Sequence, residues 1–131
     1  DSLPPNNLPP QRLVVVLPAF NEEKSVTRVI QQVRDHLEFD GDVDVLVIDD
    51  GSEDQTSEVA ARASATVFRH RRNEGLGVAI ATGMELAVRN GADIIVTMDS
   101  DGQFKGEHIS EIIAPILAGR AEMVIGSRYL R

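Results

Sequence analysis

Short β-branched runs return at intervals along this chain, each followed by apolar residues at helical spacing, and this alternation constrains the fold more than any other feature. "LVVVL" at 13–17 is continuously apolar, the mark of a strand covered on both faces, because a half-exposed strand would alternate with polar residues. Val26, Val29, Ile30, Val33 and Leu37 then predict an amphipathic helix over 22–38. "VDVLVI" (43–48) is a second strand, and Ser52 with Gln55 three residues later has the spacing of a capping box opening a short helix. "ATVF" (65–68) predicts a third strand, "GLGVAIATGMELAVRNG" a helix over 76–89 stopped at Asn90-Gly91, and "DIIVTM" (93–98) a fourth strand. Ile109, Ile112, Ile113, Ile116 and Leu117 mark a further helix, shortened or kinked by Pro115, before a fifth strand at "EMVIGS" (122–127). Strands and helices in strict alternation imply an α/β domain: a parallel sheet with helices on both faces, three layers deep.

The 131 residues suffice for one domain or part of one. The first twelve, "DSLPPNNLPPQR", hold four prolines and two asparagines and read as an extended lead-in, leaving 13–131 as the folded unit. A formal charge of −8 argues against sequence-independent binding of nucleic acid, though not against a basic pocket. No cysteine is present, so nothing calls for an oxidising compartment. No apolar run approaches the ~20 residues of a membrane span. The chain as given is expected to be soluble and cytoplasmic.

Polar residues collect after three of the strands: "PAFNEE" (18–23), "DDGSED" (49–54) and "DSDGQF" (99–104). A parallel sheet brings all three to its carboxyl edge, where ligands bind in such folds. Carboxylates meeting there repel unless a cation or hydrogen-bond donors answer them. With oxygen donors, no cysteine, and histidine only at 36, 70 and 108, a hard ion such as Mg²⁺ or Mn²⁺ suits Asp99 and Asp101, with Gln103 adding a carbonyl or holding a bound water. The competing reading of Asp99-x-Asp101-Gly is a plain turn. Two readings are also open at 49–52: Asp49 or Asp50 starts a turn and Ser52 caps a helix, or Asp50 accepts the imide N–H of a uracil or guanine ring. Likewise Asn21 could cap a helix whose dipole favours Glu22 and Glu23, or Glu22 could touch a ligand. "RHRRNEGLG" (69–77) is a solvated basic loop or, through Gly75 and Gly77, a weak phosphate site matching neither common glycine motif. Arg128 is a surface charge or a diphosphate contact. His36 and His108 read as surface residues.

Taken together, "VVVLPAFNEE", "VLVIDDGSEDQT", "NEGLGVAIATGMELA", "IIVTMDSDGQF" and "MVIGSRY", spanning residues 13 to 129, resemble the GT-A fold glycosyltransferases of family 2, and within them the polyprenyl-phosphate sugar transferases. The resemblance implies a Rossmann-like, parallel-sheet nucleotide-binding domain of GT-A type. It implies a nucleoside diphosphate-sugar donor (UDP- or GDP-hexose) with Pro18, Phe20, Glu22, Ile48 and Asp50 around the nucleoside. Asp99, Ser100 and Asp101 would contact the donor, Asp99 and Asp101 would serve the chemistry, and Asp99, Asp101 and Gln103 would hold Mg²⁺ or Mn²⁺. Arg128 would face the phosphates. A polyprenyl phosphate would be the acceptor, which places the whole protein at the cytoplasmic face of a membrane. Phe20 stands where tyrosine is common, and Glu74 where a basic residue is frequent. Relatives of this kind are longer, so the chain is expected to be the donor-binding half of a truncated domain. Alternatives are a donor- and metal-binding fragment without turnover, or a family 2 transferase acting on a sugar or polysaccharide. A phospho-accepting receiver fold also gathers acids at strand ends, but expects the acidic pair after its first strand rather than its second.

Overall fold

The computed structural model describes residues 12–98 and the short strand at 123–125. In chain order the elements are β1 (Arg12–Ala19), α1 (Val26–His36), β2 (Asp42–Asp49), α2 (Thr56–Arg62), β3 (Thr66–Arg69), α3 (Leu76–Arg89), β4 (Ile94–Thr97) and β5 (Met123–Ile125). All five strands pair in parallel, in the order β3-β2-β1-β4-β5. The order runs outward from β1 one way through β3 and then the other way through β4. The switch point therefore lies between β1 and β4, where the carboxyl ends of the strands diverge. The helix expected over 109–117 and the lead-in up to residue 11 fall outside the described residues.

Because successive strand residues face opposite ways, each strand feeds two cores. Leu13, Val15 and Leu17 of β1, Val45 and Val47 of β2, and Ile94 and Val96 of β4 pack with Val26, Val29, Ile30 and Val33 of α1 and Ala60 of α2. The alternate residues, Val14, Val16, Leu46, Ile48 and Ile95, meet Ala79 and Ala87 of α3. This is why the runs are apolar throughout. Helix α3 lies very close to the sheet: a Cβ on Gly83 would fall 2.3 Å from Val16 Cγ1. Only a residue without a side chain lets the helix axis come so near.

Two helix starts differ from the sequence-based expectation. Helix α1 begins at Val26 rather than near 22, because Asn21 takes a left-handed conformation (φ 55°) and residues 22–25 form a turn closed by Ser25 and Val26 N–H on Glu22 O, at 3.0 and 2.9 Å. Asn21 is therefore not the cap of α1. The expected capping box of Ser52 with Gln55 does not form either. Ser52 Oγ accepts from Asn21 N–H at 2.8 Å, the cap position falls on Gln55, and Asp54 Oδ1 just before it accepts from Thr56 N–H at 2.9 Å and from the Thr56 hydroxyl. A partner distant in sequence outcompetes the local motif.

Candidate functional site

The segments after β1 and β2 are fastened to one another by side chains. Beyond the Asn21–Ser52 bond, Glu53 N–H donates to Asn21 Oδ1 (2.9 Å), Glu22 N–H to Thr56 Oγ1 (2.8 Å), Glu23 N–H to Asp54 Oδ2 (3.2 Å) and Gln55 N–H to Glu23 Oε1 (2.9 Å). Backbone donors that no helix or ladder satisfies are thus answered pairwise, and the two loops form one rigid wall. Asp54 is held below its ordinary carboxyl value: burial opposes the charge, but the Thr56 hydroxyl and the Glu23 and Thr56 N–H groups outweigh it.

Asp49 and Asp50 are adjacent and both buried, yet they face opposite layers, following the alternation of β2. Asp49 points to the α1/α2 side, where Oδ1 accepts from Ser52 N–H (2.9 Å) and Oδ2 from Arg69 Nη1 (3.0 Å) and the Ser57 hydroxyl. Asp50 points to the α3 side. Its Oδ1 accepts from Glu74 N–H (2.9 Å) and lies 2.8 Å from His70 Nδ1, while Oδ2 accepts from Gly75 N–H (2.9 Å). Asp50 thereby answers the amino end of α3 from another strand. Burial works against its charge, but His70 and the two loop N–H groups overcome this, and its carboxyl lies below the ordinary value. The N–H of Gly75, a weak candidate for phosphate, is engaged by this carboxylate.

His70 closes the arrangement. Its Nε2 lies 2.8 Å from Thr82 Oγ1 on α3, and its ring meets Phe68 edge-on at 5.9 Å. An ionised carboxylate only accepts, so Nδ1 carries a proton; the Thr82 hydroxyl then donates to a neutral ring or accepts from a charged one. Gly51, with φ 77°, brings the backbone of 72–73 so near that a Cβ would sit 2.3 Å from Arg72 C. Gly51 also lines an open cleft of about 610 Å³ together with Phe20, Arg71 and Arg72 and with the acids Glu53, Asp54 and Glu58. Phe20 is 43% exposed there. Arg71 and Arg72 are exposed and make no ion pair with another described residue.

The expected site residues divide as follows. Pro18 and Ile48 stand opposite one another in the β1–β2 register and are buried. Val16 O of β1 accepts from Met98 N–H on the β4 side and Ala19 O accepts from Asp50 N–H on the β2 side, so the missing N–H of Pro18 falls toward β4, beyond the last β1–β4 pair, Val16↔Thr97. Phe20 lines the cleft. Glu22 is not part of the cleft lining, and its Oε1 accepts from the Ser25 hydroxyl at 2.8 Å. Asp50 lies beneath the cleft's loop. Asp99, Ser100, Asp101, Gln103 and Arg128 lie outside the described residues. Among those described, no three His, Asp or Glu side chains converge to hold a metal ion, and no helix is long and apolar enough to cross a membrane. Sequence reasoning missed His70 and Thr82, and treated Arg69 as part of a solvated loop. The parity of β3 was the available signal, since it puts Arg69 on the face of Asp49 and His70 on the face of Asp50.

Against known proteins, the family model for glycosyl transferase family 2 matches residues 14–131. The UDP-N-acetylglucosamine–dolichyl-phosphate N-acetylglucosaminyltransferase of Methanococcus voltae is 32% identical over 88% of this chain and 51% of its own length. The polyprenol monophosphomannose synthase of Mycolicibacterium smegmatis is 34% identical over 93% of this chain and 47% of its own. Among solved structures, glucosyl-3-phosphoglycerate synthase from Mycobacterium tuberculosis, in complex with Mg²⁺ and UDP, superposes with a TM-score of 0.67 at 27% identity, covering 83% of this chain and 40% of that one. The chain thus spans about half the length of the curated relatives it matches.

Proposed function

The chain belongs to glycosyl transferase family 2, and from that premise we propose that it forms the donor-binding half of an inverting, metal-dependent transferase that moves a hexose from a nucleoside diphosphate-sugar to a polyprenyl phosphate. The observation that carries this reading is the cleft at the carboxyl ends of β1 and β2, with Phe20 presented as a stacking surface and Arg71 and Arg72 beside it. An exposed aromatic face next to guanidinium groups suits a base carrying carbonyl oxygens and phosphates. The two relatives whose names include dolichyl phosphate and polyprenol support the lipid-phosphate acceptor, and the UDP and Mg²⁺ in the solved neighbour support the donor class.

In this reading Phe20 faces the nucleoside, the buried Pro18 and Ile48 shape that side from within the sheet, Asp50 holds the loop that borders it, and Glu22 helps fix the segment after β1. Asp99, Asp101 and Gln103, all hard oxygen donors, would hold Mg²⁺ or Mn²⁺, with Ser100 against the donor and Arg128 toward its phosphates. A bound divalent ion would offset the charge that grows on the departing nucleoside diphosphate. A phosphate acceptor is already ionised near neutral pH and asks for little general-base help, which fits a set of candidate residues without an evident base. The whole protein would work where its lipid acceptor lies, at the cytoplasmic face of a membrane, whereas this chain accounts for donor binding.

Calorimetry with UDP, GDP and their hexose conjugates, with and without Mn²⁺, tests the assignment. Binding of one base class that strengthens with Mn²⁺ is expected, and Asp101→Ala is expected to abolish the Mn²⁺ effect. An Asp101→Ala chain that binds nucleotide and Mn²⁺ as well as the parent would overturn the metal assignment.

A further inference from the structure

We propose that His70 is a positioning residue for the donor site: bridged between Asp50 and Thr82, it sets the conformation of the 73–75 loop and, through that loop, the affinity for the nucleoside diphosphate. This rests on the donor-binding reading above. Three groups meet at the buried Asp50 carboxylate, the His70 ring and the Glu74 and Gly75 N–H groups, and the Asn73 side-chain amide donates to the Asp50 backbone carbonyl at 3.3 Å. The same 72–73 segment packs on Gly51 and lines the cleft with Phe20. His70 is the one member that also reaches the helix body, through Thr82 a turn and a half into α3. Without it, nothing would fix how far that loop stands from α3, and the Glu74 and Gly75 bonds to Asp50 would loosen.

The His70 side chain is only 11% exposed, so its two ring nitrogens have protein partners rather than water. Both bonds persist in either protonation state of the ring, because the Thr82 hydroxyl reverses its role. A side chain wired this way holds geometry and takes no part in the reaction itself. It also acts through a particular atom: Nδ1 faces the carboxylate and Nε2 faces the helix. The nitrogens can be replaced separately, since an asparagine amide N–H stands near the place of Nδ1 and a glutamine amide N–H near that of Nε2.

The test compares His70→Asn, His70→Gln and His70→Ala with the 131-residue parent, reading three quantities: UDP and GDP affinity in Mn²⁺, melting temperature, and exchange protection of the Glu74 and Gly75 amides by NMR. A bond from a ring N–H to a carboxylate is worth roughly tenfold or more in affinity when its geometry is needed. His70→Ala, which loses both bonds, is expected to weaken nucleotide binding about tenfold and to lower amide protection, while His70→Asn and His70→Gln, which each keep one of the two bonds, fall between His70→Ala and the parent. Thr82→Val, which removes the helix-side partner alone, is expected to fall between these limits. Affinities that simply follow the melting temperatures of the variants would overturn the proposal, as would unchanged Glu74 and Gly75 protection in His70→Ala. A parent chain that binds neither nucleotide counts against the donor reading, while amide exchange still decides whether His70 holds the loop.

Discussion

The two faces of the sheet are built from the same strands and hold their helices in opposite ways. On the α1/α2 face, large aliphatic side chains from both partners interdigitate, and Leu17, Ile30 and Val33 are fully buried there. On the α3 face the helix offers Ala79, Gly83 and Ala87, so it meets the strand side chains at close range. One face depends on volume and the other on nearness. The polar ends follow the same division: Asp49 ties the first face to Arg69 and Ser57, whereas Asp50 ties the second to the loop that opens α3.

Truncating a large side chain should hurt the first face most. Leu17→Ala is expected to cost about 2–5 kcal/mol in a denaturant melt, from lost burial plus the cavity left behind. A cost below about 1 kcal/mol would mean that α1 and the strands collapse onto the gap, contrary to a volume-dependent face.

Enlarging a small side chain should hurt the second face. Gly83→Ala is expected to destabilise by about 1–3 kcal/mol, even though alanine is the better helix former, because its Cβ would meet Val16. Adding Val16→Ala should recover part of that loss. Strict additivity of the two changes would break the close-approach account.

The carboxylates sharpen the comparison through pH. The folded carboxyl of Asp50 lies below its ordinary value of 3.8, so its stabilising contribution is present above that value and is lost as pH falls through the lower, folded one. Acid unfolding curves of the parent should therefore lose stability below about pH 4, and Asp50→Asn should show a shallower slope there together with lower stability at neutral pH. Equal acid slopes in both chains would assign the effect to other acids, Asp54 first among them.

The smallest effect belongs outside both cores. Arg89 and Glu85 form an exposed pair one helical turn apart at 2.7 Å, and Glu85→Ala should change stability by no more than about 0.5 kcal/mol, weakening further in salt. A larger loss would mean that the carboxyl-terminal end of α3 depends on charge rather than on its contact with the sheet.

Much of this was legible in the residues. The strand runs around Val15, Val47 and Val96 and the helical spacing of Val26, Val29, Ile30 and Val33 announced the parallel three-layer sheet, and the polar clusters at 18–23 and 49–54 meet at the ends of β1 and β2. The local capping signals misled, because Ser52 and Asn21 had partners across the loop pair that no short window contains. His70 looked like one more charge in a basic loop. Only the pairing of β2 with β3, which aligns Asp49 with Arg69 and carries His70 to Asp50, gave it a role.

Sequence alone determined the alternation of strands and helices and so the layering, since hydrophobic period and β-branching act locally and every window along the chain repeats the instruction. The tertiary structure decided which buried carboxylate answers which loop, because that depends on strand parity and register between segments dozens of residues apart. Period-two alternation sends neighbouring aspartates to opposite layers, and the partners waiting in each layer come from elsewhere in the chain.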